Sequence, residues 1–149
     1  MKRLTILFLA TAAILPAGVA YASTGAHAAR SAKLQLRHTS LGSILVNGGG
    51  HTLYLFTRDS RNHDRCASVA GCTGIWPMLT TTGTPTLGRG VKRALVGTIT
   101  VAGQHQVTYA GHALYMYIGD AGPGDTSYVG QSQFGGKWLA LNAAGHTVK

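Results

Sequence analysis

The sequence predicts an all-β domain, a small antiparallel sandwich or barrel built from two fused repeats, with Gly-rich loops and one disulfide. Short apolar runs alternate with turn sequences at the intervals typical of strands and hairpins. After residue 22 no stretch keeps the 3.6-residue period of an amphipathic helix. The 149 residues include 21 glycines, which agrees with a fold that contains many tight turns.

The first 22 residues are typical of a secretory signal peptide. Lys2 and Arg3 precede an apolar run over residues 4–20, and a small-x-small cleavage signal follows at Ala20-Tyr21-Ala22. A second such signal at residues 26–28 leaves the cleavage site open, and a membrane anchor is the alternative interpretation. We therefore expect a secreted protein that is extracellular or associated with the cell envelope.

The remaining chain divides into an arm and one duplicated domain. Residues 23–40 are basic and rich in Ala, Ser and Thr, and we expect a linker or arm there. Residues 41–149 form the predicted β domain, with repeat 1 at about 41–79 and repeat 2 at about 97–141. Turn sequences predict hairpins at 42–57, 97–110 and 137–149, and a strand at 112–118 after Gly111. They also predict a polar loop at 58–72 and a long Gly-rich loop at 119–136.

The two cysteines of the chain, Cys66 and Cys72, lie in the polar loop. A short-range pair in an exported protein favours a disulfide. The spacing is not that of a C-x-x-C redox or zinc pair. Downstream of this loop, Trp76 is the expected core anchor, and Trp138 follows at nearly the same distance in the second repeat.

One phrase occurs twice, as GHTLYLFTRD at residues 50–59 and as GHALYMYIGD at residues 111–120. The same offset of 61 positions relates Asp64 to Asp125, and the four aspartates of these two stretches are the only acidic residues of the chain. This placement indicates an internal duplication.

Alternation along each copy predicts a central strand that is buried on both faces. Leu53, Leu55 and Thr57 share one face of the first copy, opposite Tyr54 and Phe56. In the second copy the corresponding faces carry Leu114, Met116 and Ile118, and Tyr115 and Tyr117.

The stretches LGSILVNGGGHTLYLFTRD, QVTYAGHALYMYIGDAGPGDT and GGKW, with the Cys pair before Trp-Pro, resemble the bacterial "secreted repeat of unknown function" family of exported proteins and lipoproteins. The resemblance covers roughly residues 41–145 and implies no activity. Two features depart from the family pattern: no lipid-anchoring Cys follows the signal sequence, and the Cys pair is more widely spaced. The resemblance implies that the family motif, Tyr-x-(Phe/Trp/Tyr)-x-x-Asp, falls on Tyr54, Phe56 and Asp59 and on Tyr115, Tyr117 and Asp120.

Three roles are open for the aspartates. In the first, each Asp caps the backbone N–H groups of its loop, with a Tyr hydroxyl or a nearby Arg completing the network. Calcium binding is a second role, although the four carboxylates are divided between two stretches. In the third, Asp59 and Asp120 meet across a pseudo-twofold axis as the paired carboxylates of a hydrolase.

His51 and His112 are the matched histidines of the repeat and candidate binding residues. No ligand cluster of metal-site spacing accompanies them, so we predict neither a metal nor a cofactor. The chain also lacks a nucleophile elbow, a P-loop and a dinucleotide fingerprint, and we predict no catalytic residues.

The formal net charge of the chain is +9. For an exported protein this charge points to anionic envelope polymers or lipid headgroups as partners. We expect no binding of nucleic acid and at most a peripheral association with a membrane. We expect a non-catalytic binding or structural module. The alternatives are a small-ligand, haem or metal protein with its site between the repeats, and a hydrolase that uses Asp59 or Asp120. The basic residues form three groups: Arg30/Lys33/Arg37, Arg58/Arg61/Arg65 and Arg89/Lys92/Arg93.

Overall fold

The computed structural model describes residues 31–149, and the expected signal peptide lies outside these residues. The described chain is built mainly from short strands. One short helix, α1 (Cys72–Ile75), and two 3-10 turns at Cys66–Ser68 and Arg93–Leu95 interrupt them. The strands are β1 (Lys33–Thr39), β2 (Gly42–Asn47), β3 (Tyr54–Phe56), β4 (Thr86–Leu87), β5 (Val96–Val101), β6 (Gln104–Tyr109), β7 (His112–Ala113), β8 (Ser132–Gln133), β9 (Gly136–Leu141) and β10 (Thr147–Val148).

These strands form three open sheets, with the orders β2-β1-β4, β10-β9-β3 and β5-β6-β7, and β8 also pairs with β9. Every pairing between these strands is antiparallel except that of β1 with β4. The predicted all-β class is confirmed, but no closed barrel forms within residues 31–149. In the same part of the chain, no helix is long and apolar enough to cross a membrane.

The predicted arm over 23–40 is wrong for its second part, because Lys33–Thr39 form β1. Leu34 is fully buried, and the basic Lys33 and Arg37 are exposed. The sequence therefore alternates as a strand does, but its basic composition hides the pattern. β1 is the main partner of β2 and pairs with it over six residue pairs.

The hairpins predicted around residues 97–110 and 137–149 are confirmed by β5–β6 and β9–β10. The predicted hairpin over 42–57 is shorter than expected. Its two sides join at the Val46–Thr52 bridge and at the hydrogen bond from the Leu53 N–H to the Leu45 carbonyl. Beyond that point β3 pairs with β9 instead.

The two copies of the repeated phrase meet at Tyr54 and Tyr115. Each of these residues donates its backbone N–H to the carbonyl of the other, at 2.9 Å in both directions. Gly50 and Gly111, which precede them at equivalent positions, both have a φ of +84°. Glycine adopts this conformation without steric cost, which explains its recurrence at these turns. The local structure is therefore related by an approximate twofold axis between the two tyrosines.

The last segment of each repeat pairs with the other repeat, as strand β9 in the second repeat and through isolated bridges at Met78 and Thr80 in the first. Tyr54 of the first repeat pairs with Ala140 of the second, and Tyr115 of the second pairs with Met78 of the first. A second reciprocal pair of β-bridges joins Ile44 to Asn142 and Thr80 to Gln106. The two repeats are therefore intertwined.

The repeated strands separate an aliphatic core from an aromatic one, as their alternation predicts. Leu53, Leu55 and Leu114 pack in the aliphatic core with Met116 at its border. The prediction is wrong for Thr57, which is exposed, and for Ile118, whose side chain is 60% exposed. The chain leaves the strand there for the turn closed by the hydrogen bond from the Asp120 N–H to the Tyr117 carbonyl. The aromatic core contains Tyr54, Phe56, Trp76, Tyr115 and Trp138, bordered by Tyr117 and Tyr128.

Candidate functional site

The Tyr and Asp residues of the repeated motif form two pairs, and each pair joins one repeat to the other. The Tyr54 hydroxyl donates to Asp120 Oδ1 at 2.9 Å, and the Tyr115 hydroxyl donates to Asp59 Oδ2 at 2.8 Å. The hydroxyl of each copy thus bonds to the carboxylate of the opposite copy. Asp59 and Asp120 each contact a tyrosine, which differs from the carboxylate dyad that the hydrolase alternative requires.

Three of the four aspartates also cap backbone N–H groups of their own loops. Asp59 Oδ1 accepts from the Arg65 N–H and Asp64 Oδ1 from the Ala67 N–H, both at 2.8 Å. The two oxygens of Asp125 accept from the N–H groups of Ser127 at 2.8 Å and Ala121 at 2.9 Å. These contacts match the capping role, including its completion by a Tyr hydroxyl at Asp59.

Asp120 differs from the other three aspartates because the Tyr54 hydroxyl is the one hydrogen-bond partner that its side chain has among the described residues. Within residues 31–149 its second oxygen, Oδ2, is buried without a partner. Burial without full compensation disfavours the charged form of a carboxyl group. Asp120 and Asp59 are nevertheless partly accessible to solvent.

Burial dominates the electrostatics of both Tyr–Asp pairs. It raises the pKa of Asp59 from 3.8 to about 6, against the opposing effects of the Arg65 N–H and the Tyr115 hydroxyl. It likewise raises the pKa of Asp120 from 3.8 to about 6, against the Tyr54 hydroxyl. Burial and the neighbouring carboxylates raise the pKa values of Tyr54 and Tyr115 far above their usual range, so both phenols stay protonated and donate.

Stacked aromatic side chains occupy the space between the repeats. Trp76 and Trp138 lie face to face, with ring centroids 3.7 Å apart and an angle of 2° between their planes. Phe56 stacks on the other side of Trp138 at 4.3 Å. Trp76, Trp138 and Phe56 are all at most 1% exposed. In the small-ligand alternative the site lies between the repeats. In the structure this region is occupied by the protein's own side chains, which are packed against one another.

Two residues of this cluster were not identified from the sequence. Gln133 Oε1 accepts from Trp76 Nε1 at 2.8 Å and from the Tyr128 hydroxyl at 3.2 Å. Tyr128 also contacts Trp76 edge-on, with ring centroids 5.1 Å apart. Both residues come from the stretch predicted as a Gly-rich loop, and no periodic signal distinguishes them there.

The matched histidines lie at the turns before the repeated strands. The backbone N–H of His51 donates to Asn47 Oδ1 at 3.0 Å. Burial, with a contribution from Arg61, lowers the pKa of His112 below 6.5. Among residues 31–149 no group of three or more His, Cys, Asp or Glu side chains is positioned to hold a metal ion.

The predicted disulfide is present between Cys66 and Cys72, and both residues are fully buried. Around this loop two exposed arginines, Arg58 and Arg61, contact backbone carbonyls. Arg58 donates to the Phe134 carbonyl at 2.7 Å, and Arg61 donates to the Ala110 carbonyl at 3.1 Å. Both contacts link one repeat to the other.

Comparison with known proteins agrees with the duplication. The profile of the family described as "secreted repeat of unknown function" matches residues 36–80 and matches again at residues 98–142. Neither a curated protein nor a solved structure matches the chain. The two matches together span more than half of the sequence and contain both Tyr–Asp pairs. This chain therefore belongs to the secreted repeat of unknown function family.

Proposed function

We propose that this protein is a non-catalytic module that binds anionic polymers outside the cell or at the cell envelope. The family description as a secreted repeat supports this location. The observation that carries the proposal is the separation of charges. Each of the four aspartates accepts a hydrogen bond from a tyrosine or from the backbone, whereas the lysines and arginines of the described chain are exposed.

This separation leaves a strongly positive surface. Residues 31–149 contain ten Lys and Arg and four Asp, which corresponds to a net charge of +6 with neutral histidines. The described Lys and Arg side chains are all exposed, and they lie mainly on β1, on β9 and in the loops between the strands. A surface of this kind attracts polyanions over about 10 Å at 0.1 M salt and loses that attraction as the salt concentration rises.

The Tyr–Asp pairs support a structural role for the family motif. Each pair uses a phenol and a carboxylate to link the two intertwined repeats, and the paired phenols are fully buried. We infer that the motif maintains the fold and that the exposed cations bind the partner. That the protein is not an enzyme remains part of this proposal.

Retention of the secreted chain on purified cell-wall material, measured across a salt titration, tests the proposal. We expect retention at low salt and release at moderate salt. A variant with Arg89, Lys92 and Arg93 changed to Gln should elute at lower salt while it keeps its melting temperature. Absence of retention at every salt concentration would contradict polymer binding.

A further inference from the structure

A groove of about 390 Å³ lies between the loop that follows residue 80 and the strand β5. Residues 81–85 form one wall, and residues 96–98 of β5 form the other, with Arg93 and His105 at the sides. β5 pairs with β6 on one side and is an edge strand of its sheet. The groove is therefore a shallow site bordered by an accessible strand edge.

Hydrogen bonds hold the loop wall in place from several directions. Thr81 is buried, and its hydroxyl accepts from the Ala32 N–H at 3.1 Å and donates to the Gly83 carbonyl at 2.7 Å. The Thr81 N–H also donates to the His105 carbonyl at 2.9 Å, and the Thr86 N–H to the Ala32 carbonyl at 2.8 Å. A wall that is fixed in this way binds a ligand without a large ordering cost.

The lining of the groove combines hydroxyl groups with a cation. Four of its ten lining residues are threonines, and none is an aspartate. Arg93 is exposed at the groove, close in sequence to the exposed Arg89 and Lys92. A guanidinium binds phosphate through paired hydrogen bonds. Hydroxyl groups pair with the hydroxyls of a polyol, and Pro85 and Val96 offer apolar contacts for its C–H groups.

The loop wall of the groove and Arg93 lie outside the two repeats. Eight of its ten lining residues belong to the segment 81–97, between the two stretches that the family profile matches. The duplication therefore places no second copy of this wall in the molecule. The segment between the repeats thus adds a fixed wall and the cation Arg93 to the edge strand β5.

We propose that this groove is a binding site for a phosphate-bearing polyol, with Arg93 on the phosphate and the exposed Thr84 and Thr98 hydroxyls on the polyol. The inference rests on the proposed function and names its ligand chemistry, because polyol phosphates occur both in anionic wall polymers and in lipid headgroups. The cations elsewhere on the surface then add attraction at longer range.

Titration of the labelled protein with glycerol 3-phosphate, followed by amide chemical shifts, tests the site. We expect the shifts to concentrate at Thr84, Gly97 and Thr98. Arg93→Gln should weaken binding about tenfold, since the change removes a charge-assisted hydrogen bond. The control, Lys137→Gln, removes one positive charge outside the groove and should change affinity less than about twofold because exposed charges interact weakly.

A second variant tests recognition of the polyol. Thr98→Val keeps the shape of an exposed side chain and removes its hydroxyl. It should weaken binding of glycerol 3-phosphate and leave binding of inorganic phosphate unchanged. Equal loss for both probes, or equal effects of Arg93→Gln and Lys137→Gln, would overturn the assignment of the groove.

The source of the ligand follows from two further measurements. Binding of soluble poly(glycerol phosphate) with no binding to phosphatidylglycerol vesicles identifies a wall polymer, and the reverse identifies a lipid headgroup. Retention on cell walls without local shifts in the groove would overturn this site and leave the proposed function standing. Local shifts without wall retention would remove the proposed function and leave the groove as a site for the free polyol phosphate.

Discussion

Replacement of Asp120 by Asn should stabilise the protein at neutral pH. The Asp120 carboxylate has one partner, the Tyr54 hydroxyl on Oδ1, and its other oxygen is buried without one. In Asp120→Asn the amide oxygen keeps the tyrosine bond, and the NH₂ group replaces the unpartnered oxygen without a charge. The variant therefore removes a poorly compensated charge and retains the link between the repeats.

The magnitude follows from the pKa of Asp120, which burial raises from 3.8 to about 6. Undiscounted, that shift equals about 3 kcal/mol at pH 7.5. Because Asp120 is partly exposed, solvent screening reduces the expected gain of Asp120→Asn to about 1 kcal/mol. For a domain of this size the gain corresponds to a melting temperature higher by about 3–5 °C.

The sign of the pH dependence distinguishes this explanation from a simple change in packing. A carboxyl with a raised pKa in the folded state binds more protons there than in the unfolded state. Its destabilising effect is absent below pH 3.8, develops as the pH rises, and is complete above about pH 6. The advantage of Asp120→Asn should therefore be large at pH 7.5 and vanish near pH 4, as measured by thermal unfolding across this range.

Asp125→Asn is the matched control in the same loop. The Ser127 and Ala121 N–H groups lower the pKa of Asp125 below 3.8, so its charge stabilises the fold. This variant should lose about 1 kcal/mol at pH 7.5, because the amide offers one acceptor oxygen instead of two. A loss of stability in Asp120→Asn that is equal at pH 4 and pH 7.5 would refute the reasoning about the buried charge.

Three further changes test the core. Tyr115→Phe should cost about 2 kcal/mol at pH 7.5 and less at pH 5, because the lost hydroxyl stabilises the Asp59 carboxylate; chemical denaturation at both pH values measures the difference. The Trp76→Phe variant should be less stable than the Trp138→Phe variant by about 1 kcal/mol. Of these two tryptophans, Trp76 alone has a hydrogen-bond partner for its Nε1 among the described residues. Equal far-UV melting curves of the two variants would contradict this prediction. Reduction of Cys66–Cys72 should lower stability by about 2 kcal/mol through the entropy of its short loop, and an unchanged denaturation midpoint would exclude that contribution.

Local patterns explain what could be predicted from the sequence. The alternation around Tyr54 and Tyr115 predicts strands with an aliphatic and an aromatic face, since successive side chains point to opposite sides. The caps at Asp64 and Asp125 follow from short-range turn chemistry. In these cases the interacting groups lie within a few residues of one another.

Long-range pairing could not be predicted in the same way. Alternation places Tyr54 on the aromatic face, but it does not determine whether the hydroxyl meets Asp59 of its own copy or Asp120 of the other. That choice depends on the exchange of the last strands, which brings Ala140 beside Tyr54. The groove at Arg93 is a further case, because its residues come from a segment with no periodic pattern.

The exchange of strands between the copies also describes how such a chain could arise. A polypeptide with one copy alone would leave β3 without the strand that completes its sheet and would leave its tyrosine and aspartate unpaired. Two identical single-copy chains could satisfy these requirements reciprocally, as a symmetric homodimer. The present protein has the arrangement of such a homodimer with its subunits joined by residues 81–97. The surface between its two repeats, which would be a subunit interface in such a homodimer, is the interior of a single chain.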